Sequence, residues 1–450
     1  MARLPTVAII GRPNTGKSTL FNRLVGERRA IVSPVPGTTR DRVAATVEGE
    51  KTRYLLVDTA GIGGGSTDTE LEADVTAQAL LAMRHCDLVL FTVSARDELT
   101  AADRTVAEYL RKHRRGHVPV ILVATKCDDP DILNDRIGDL HRLGIADDIV
   151  GTSAAHNMGV GELEEIMEMH LIKMHFAKAD SEQRTASSLG IPRIAIVGKP
   201  NVGKSSLINA LMSEAQRKEA ARIVSPIPGT TRDTSDVTIR HEGKEYVFID
   251  TAGLRHKANI DTDIEHYAAL RSIQAISQAD IVALVLDVTE EISRQDKRLA
   301  RLAVDEGRAL ILILNKTDML TVEQRDEKVA EIRRTMSYCS FAPIAGVSAK
   351  KERGLHTLFP LFSALLVNLQ RRVPTKALHQ WYESAVQRLP AHVLVQGKHV
   401  TQADEVPPTF AIFLRHPERV QRNHLTYLER SLRQLFNFDG VPIRFLLKGR

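Results

Sequence analysis

Residues 11–18, Gly11-Arg12-Pro13-Asn14-Thr15-Gly16-Lys17-Ser18, set two glycines, a lysine and a hydroxyl directly behind the apolar run "PTVAII". Glycine, four residues, then Gly-Lys-Ser is the spacing of a loop whose backbone N–H groups wrap phosphates at the start of a helix. Lys17 would neutralise charge on the β- and γ-phosphates, and Ser18 would bind Mg2+. The pattern returns after "PRIAIV" as Gly198, Lys199, Pro200, Asn201, Val202, Gly203, Lys204 and Ser205. One match in a chain of this length is within reach of chance. Two, each behind a strand-like run and each followed by the same further motifs, are not.

Those further motifs name the chemistry. "PGTTRD" occurs in both halves, and its second threonine, Thr39 or Thr231, offers a hydroxyl that would join Mg2+ when a nucleoside triphosphate is bound. The loop around it would be a switch, ordered by the γ-phosphate and released on hydrolysis; a plain Gly/Pro turn is the alternative. "DTAG" supplies Asp58, Thr59, Ala60 and Gly61, then Ile62, and in the second half Asp250, Thr251, Ala252 and Gly253, then Leu254. The aspartates would hold a Mg2+-bound water, and the glycines would offer an N–H to the γ-phosphate. "NKTD", residues Asn315, Lys316, Thr317 and Asp318, selects the base. Asp318 can accept from guanine N1–H and its exocyclic amine, a pair of donors adenine does not present in that arrangement. The Lys316 stem can lie on the ring face, and Ser348 and Ala349 can bring a backbone N–H to guanine O6. The first half spells this as Thr125, Lys126, Cys127 and Asp128, with Ser153 and Ala154. A threonine hydroxyl cannot serve both faces of an amide, so the first site is expected to bind guanine nucleotides more weakly.

Such loops need a frame. Apolar runs such as "DLVLFTVSA" and "DIVALVLDV" are continuous, the pattern of strands covered on both faces. Between them lie helical stretches opened by "TAAD" and "SRQD", capping boxes with aspartate in place of glutamate. Strand–helix alternation predicts an α/β fold, a mostly parallel sheet flanked by helices, made twice. Corresponding words run in register through both halves, apart from an insertion at "SEAQRKEAAR", so a whole domain is duplicated. The expected divisions are 1–169, a polar linker over 170–190, 191–370, and a tail over 371–450. The tail reads α-β-β-α-β, with helices over 375–389 and 419–436.

The chain has 450 residues, 43% hydrophobic and 26% charged, an ordinary globular composition. No apolar run nears the roughly 18 residues that cross a bilayer, and the opening residues lack a signal-peptide layout. Cys86, Cys127 and Cys339 are odd in number and scattered, which fits neither a disulfide framework nor a zinc site. The expected address is cytoplasmic. The net charge is +5, yet residues 371–450 hold 13 Lys and Arg against 6 Asp and Glu, so the basic excess lies in the tail. That is the footprint of nucleic-acid contact, or simply a solvated basic surface.

Two tandem sets of GTPase motifs followed by a small basic domain closely resemble the bacterial Der (EngA) GTPases, over nearly the whole chain. In the tail, "TQADEVPPTFAIFLRHPERV" and "YLERSLRQLFNFDGVPIR" look like that family's KH-like domain, which lacks the GxxG loop of RNA-clamping KH modules, as do residues 371–450 here. The resemblance implies GTP hydrolysis to GDP, with Mg2+, in maturation of the large (50S) ribosomal subunit. The expected partner is that subunit or its precursor rRNA, with no DNA and no stable membrane association, and the chain is expected to be a monomer. Where Ras-like GTPases place a water-orienting glutamine after "DTAG", this chain has Ile62 and Leu254. In relatives of the Der, Era and TrmE group that replacement accompanies a phosphate-loop asparagine that helps hold K+. By position, Asn14 and Asn201 fit that role; the alternative is that they only shape the loop. Lys17, Asn14, Thr39 and Gly61, with Lys204, Asn201, Thr231 and Gly253, are then the residues expected to act in hydrolysis. Two readings of other classes compete: a nucleotide-gated RNA-binding scaffold with incidental hydrolysis, and a membrane-remodelling GTPase, the latter disfavoured by the absence of a lipidation motif.

Overall fold

A computed structural model describes residues 4–26, 31–32, 44–59, 79, 82–83, 86–113, 118–176, 190–212, 236–249, 263–387 and 399–449. In the first half β1 (Thr6–Ile10), β4 (Arg53–Asp58), β5 (Leu88–Ser94), β6 (Val120–Thr125) and β7 (Asp148–Thr152) run parallel, and β3 (Ala44–Glu48) pairs antiparallel on β4. Their order is β3-β4-β1-β5-β6-β7. Strand β5 is buried along its whole length, as its unbroken apolar run predicts. Helix α1 (Lys17–Gly26) packs Leu20, Phe21 and Leu24 onto Val7, Ile9 and Leu56, and α4 (Val160–Lys173) adds Leu163, Met167 and Leu171 to the same core. Helices α2 (Ala101–His113) and α3 (Pro130–Arg142) also belong to this half.

The second half repeats the plan with β8 (Arg193–Val197), β9 (Val237–His241), β10 (Lys244–Ile249), β11 (Ile281–Asp287), β12 (Ala309–Asn315) and β13 (Ile344–Gly346). Their order is β13-β12-β11-β8-β10-β9, with β9 alone antiparallel to its neighbour. The described helices here are α5 (Lys204–Leu211), α6 (Asp263–Gln278), α7 (Arg294–Asp305), α8 (Val322–Thr335) and α9 (Leu358–Leu369). The tail follows the expected order, with α10 (Thr375–Gln387), β14 (His399–Glu405), β15 (Pro408–Leu414), α11 (Arg422–Leu435) and β16 (Arg444–Gly449). Leu425, Leu428 and Leu432, on one face of α11, cover Phe410, Ile412 and Phe445 of the sheet; burying a side chain such as Phe410 contributes about 2 kcal/mol. The buried Trp381 indole donates to Ser431 Oγ at 3.0 Å, so its one polar atom is satisfied.

Two features were not expected from the sequence. A two-residue strand, β2 (Ile31–Val32), pairs antiparallel with β16, Phe445 opposite Val32, and so extends the tail sheet. The described chain also divides into two compact units across the sequence boundaries. One contains the first six-stranded sheet and α6 as far as Ser277, where Gln274 Nε2 donates to Thr6 Oγ1 at 3.1 Å. The other contains the second sheet, the tail and β2. Within it the tail is joined to the second sheet by main-chain bonds. Leu310 N–H donates to Gly440 O at 2.7 Å, and Gly440 N–H to Phe341 O at 2.8 Å. Gly440 has φ +75°, and a Cβ there would overlap Leu365, so only glycine fits this junction. The Arg433 guanidinium stacks 4.4 Å from the Phe341 ring centroid and is paired with Glu429 at 2.7 Å, which offsets its burial.

Candidate nucleotide site

Each phosphate loop leaves the C-terminal end of a central parallel strand, the place where the loops of an open α/β sheet converge. In the first half the loop follows β1 and opens α1; in the second it follows β8 and opens α5. The two lysines are held alike. Lys17 Nζ donates to the carbonyls of Gly11 and Arg12, both at 2.7 Å. Lys204 Nζ donates to Gly198 O at 2.8 Å and to Lys199 O. Burial lowers each ammonium to a pKa of about 8, against which the Asp58 carboxylate acts on Lys17 and the Asp296 carboxylate on Lys204. An anion bound in the loop would supply the opposite charge that burial removes.

The capping boxes form as their sequence predicts, and the first does a second job. Asp103 caps the start of α2 by accepting from Thr100 N–H at 3.0 Å, and Asp296 caps α7 from Ser293 N–H at 2.9 Å. The same Asp103 carboxylate accepts from Arg12 Nε at 3.1 Å, while Lys199 Nζ lies 3.8 Å from Asp296. Arg12 is thereby tied to a buried helix cap, whereas Lys199 donates to Glu290 and only lies near the equivalent cap.

Strand register assembles the rest. Ile9 stands beside Asp58, and Ser94 beside Thr125 beside Thr152. Asp58 is buried at the end of β4 and accepts from Ser18 Oγ at 2.9 Å, so a hydroxyl and a carboxylate meet at the loop mouth. Asn14 and Asn201 are exposed at the crown of their loops with φ of +64° and +63°. In the left-handed region asparagine is favoured for its backbone alone. Pro13, Thr15, Pro200 and Val202 complete the loops; Thr15 Oγ1 donates to Arg12 O at 2.9 Å, and Thr59 Oγ1 to Ile9 O at 2.8 Å.

The base-selecting residues meet at the ends of β6 and β12. Asn315 clips two loops together: its Nδ2 donates to Val202 O at 2.8 Å and its Oδ1 accepts from Ala349 N–H at 3.0 Å. Thr125 does half of this. Its hydroxyl donates to Thr15 O, with Val93 O at 3.0 Å as the other acceptor, and among the described residues no bond reaches the Ala154 N–H. Arg23 of α1, which the sequence reading missed, steadies that loop from elsewhere by donating through Nε to Ala154 O at 2.8 Å. Asp128 and Asp318 each accept from the following serine, Ser153 or Ser348, at 2.6 Å, and that bond holds both carboxyls below the usual range. Lys126 and Lys316 both have left-handed backbones, at φ +60° and +65°. Cys127 Sγ donates to Asp129 O at 3.3 Å, where Thr317 Oγ1 donates to Val347 O at 2.9 Å. Thr39, Ala60, Gly61, Ile62, Thr231, Asp250, Thr251, Ala252, Gly253 and Leu254 lie outside the described residues.

Residues 6–126 and 193–316 each match the family model described as 50S ribosome-binding GTPase, and residues 372–448 match that of the KH-domain-like C-terminal region of EngA bacterial GTPase enzymes. The chain is 38% identical over 454 residues to GTPase Der of Geobacillus sp. (strain WCH70), covering 99% of each. The chain belongs to the Der (EngA) family. It is likewise 37% identical over 453 residues, again 99% of each, to GTPase Der of Listeria welshimeri. Among solved structures, Era in complex with MgGDPNP and nucleotides 1506-1542 of 16S ribosomal RNA shares 22% identity at a TM-score of 0.30, over 58% of this chain and 93% of that one. Kinship at this level over the full length makes the chain a GTP-binding, GTP-hydrolysing switch protein carrying two GTPase domains and a KH-like tail. No helix among the described residues is long and apolar enough to cross a membrane.

Proposed function

We propose that the chain is a cytoplasmic GTPase of large-subunit assembly, in which nucleotide state at two sites sets how the basic tail meets rRNA. The observation that carries the two-site reading is the recurrence of one constellation. In each half a loop lysine is curled onto its own carbonyls, and a base-selecting residue bonds the loop residue before the second glycine: Thr125 on Thr15, Asn315 on Val202. The match to a model described as 50S ribosome-binding GTPase and the basic excess of residues 371–450 support the ribosomal partner. In this reading the domains are 1–169, 191–370 and 371–450, and the chain acts as a monomer.

The residues fit the groups the family implies. Ser18 and Asp58 present hard oxygens 2.9 Å apart at the mouth of the first loop, the donor type Mg2+ takes, and Ser205 and Asp250 would serve the second. When bound, Mg2+ neutralises charge between the β- and γ-phosphates. With nucleotide bound, Lys17 and Lys204 would turn from the loop carbonyls to those phosphates; Gly61 and Gly253 would donate to the γ-phosphate, and the Thr39 and Thr231 hydroxyls would join the metal. Asn14 and Asn201 would hold K+, whose charge would stabilise the transition state in a chain that has Ile62 and Leu254 in place of a water-orienting glutamine.

Thr125 leaves the Ala154 N–H without the bond that Asn315 gives Ala349. With the second site silenced by Asp318→Ala, Thr125→Asn is expected to tighten GDP binding at the first site roughly three- to tenfold, the range of one recovered hydrogen bond. Calorimetric titration reads it directly, and equal affinities would count against the argument. The ribosomal reading is tested by sucrose-gradient sedimentation with ribosomal subunits. Migration with the large subunit in a non-hydrolysable GTP analogue but not in GDP is expected; nucleotide-independent migration, or none, overturns it.

A further inference from the structure

Beyond Thr125, the two halves differ at two more positions that face the base-selecting residues, and neither is apparent from the motifs alone. Strand β11 ends in Asp287, which is buried and ion-paired with Lys316. Two residues on, Thr289 turns back onto that carboxylate, donating to Asp287 Oδ1 through N–H at 2.9 Å and Oγ1 at 2.7 Å. The first half has Ser94 and Arg96 in those places, two residues apart in the same register. Among the described residues Lys126 has no buried ion-pair partner and lies 3.8 Å from the half-exposed Asp97. Arg96 instead extends to Asp128: its Nη2 donates to Asp128 Oδ2. Oδ1 of the same carboxylate is already engaged by Ser153. In the second half Asp318 Oδ1 is engaged by Ser348, and among the described residues no cation is paired with its Oδ2.

We infer that Arg96 is a latch on the base-reading carboxylate of the first site, so that a guanine base must displace the guanidinium from Asp128 before Oδ2 can accept from the base. This rests on the reading of Asp128 as the residue that selects guanine. The arginine is 60% exposed and has solvent to swing into, so the latch opens without disturbing the sheet. An exposed pair of this kind competes weakly, and its effect is a bias on occupancy: the first site gives up the base more readily than the second, where the described residues place no such competitor on the carboxylate. Among the described residues His156, with Nε2 3.9 Å from Asp128 Oδ1, is the other basic group at this carboxylate.

The test uses the full chain with the second site silenced by Asp318→Ala, titrated calorimetrically with GDP and with ADP. Arg96→Thr, which installs the residue type of the second half, is expected to tighten GDP binding roughly two- to fivefold and to leave ADP, which has no use for Asp128, unchanged. In an Asp128→Asn background probed with xanthosine diphosphate, whose carbonyl matches the amide, Arg96→Thr is expected to change nothing. Unchanged or weaker GDP binding in Arg96→Thr overturns the latch while leaving base selection intact. A gain that persists with Asp128→Asn also overturns it, since the arginine would then act elsewhere. If the chain discriminates GDP from ADP neither with Arg96 in place nor after Arg96→Thr, the reading of Asp128 falls, and the latch with it.

Discussion

In KCl, an Asn201→Gly variant is expected to bind GTP as the unaltered chain does, yet to hydrolyse it at the second site roughly a hundredfold more slowly, the scale of losing one preorganised source of transition-state charge stabilisation. Glycine is the informative replacement because Asn201 sits at φ +63°. Alanine there would add about 1–2 kcal/mol of left-handed backbone strain, and a lost rate would then report a distorted loop as easily as a lost ligand. Glycine accepts the same φ without cost. If the asparagine serves the backbone alone, the glycine variant keeps both its rate and its preference for KCl over NaCl. If it holds the cation, the potassium stimulation disappears with the side-chain amide. Single-turnover hydrolysis with the first site silenced by Lys17→Ala separates the two outcomes. An undiminished rate in the glycine variant would return Asn201, and by symmetry Asn14, to a purely conformational role.

The second large effect concerns the last loop glycine. Gly203→Ala is expected to weaken guanine nucleotide binding at the second site at least a hundredfold, whereas Gly16→Ala costs the first site roughly tenfold. Both positions have left-handed backbones, φ +96° and +84°, so both alanines carry the strain of a Cβ in that region, about 1–2 kcal/mol. The difference lies across the cleft. A Cβ on Gly203 would overlap Asn315 Nδ2, the amide that clips the phosphate loop to the loop at Ala349. A Cβ on Gly16 would find Thr125 at an ordinary 3.6 Å. The alanine therefore breaks the clip at the second site and leaves the first site's half-clip standing. It follows that Asn315→Thr, placed in the Gly203→Ala chain, should recover part of the lost affinity by making the second site resemble the first. Failure of that double variant to improve on Gly203→Ala would mean that backbone strain, not the collision with Asn315, sets the loss.

Most of this architecture was legible in the residues. The phosphate loops, the order of strands and helices, the aspartate capping boxes at Thr100 and Ser293 and the α-β-β-α-β tail depend on contacts within a few positions, where glycine conformation, apolar period and side-chain reach suffice. The continuous burial of β5 and β11 follows from the same local pattern. Family membership was equally plain, because the motifs recur in one order over the full length.

What the sequence by itself determined, then, was the set of motifs in each half: a phosphate-loop spacing twice over, NKTD in the second copy, and Thr125 where the second copy has Asn315. Tertiary structure decided who answers whom. The reach of Arg96 to Asp128, the bond from Arg23 to Ala154, the double use of Asp103 and the pairing of Ile31–Val32 with β16 join residues far apart in the chain. Such pairs are set by strand register and by which loop crosses which strand end. A substitution such as Ser94 for the buried aspartate of the other half therefore reads as a neutral change along the chain, and only in three dimensions as a lysine, Lys126, that loses that partner and lies by Asp97 instead.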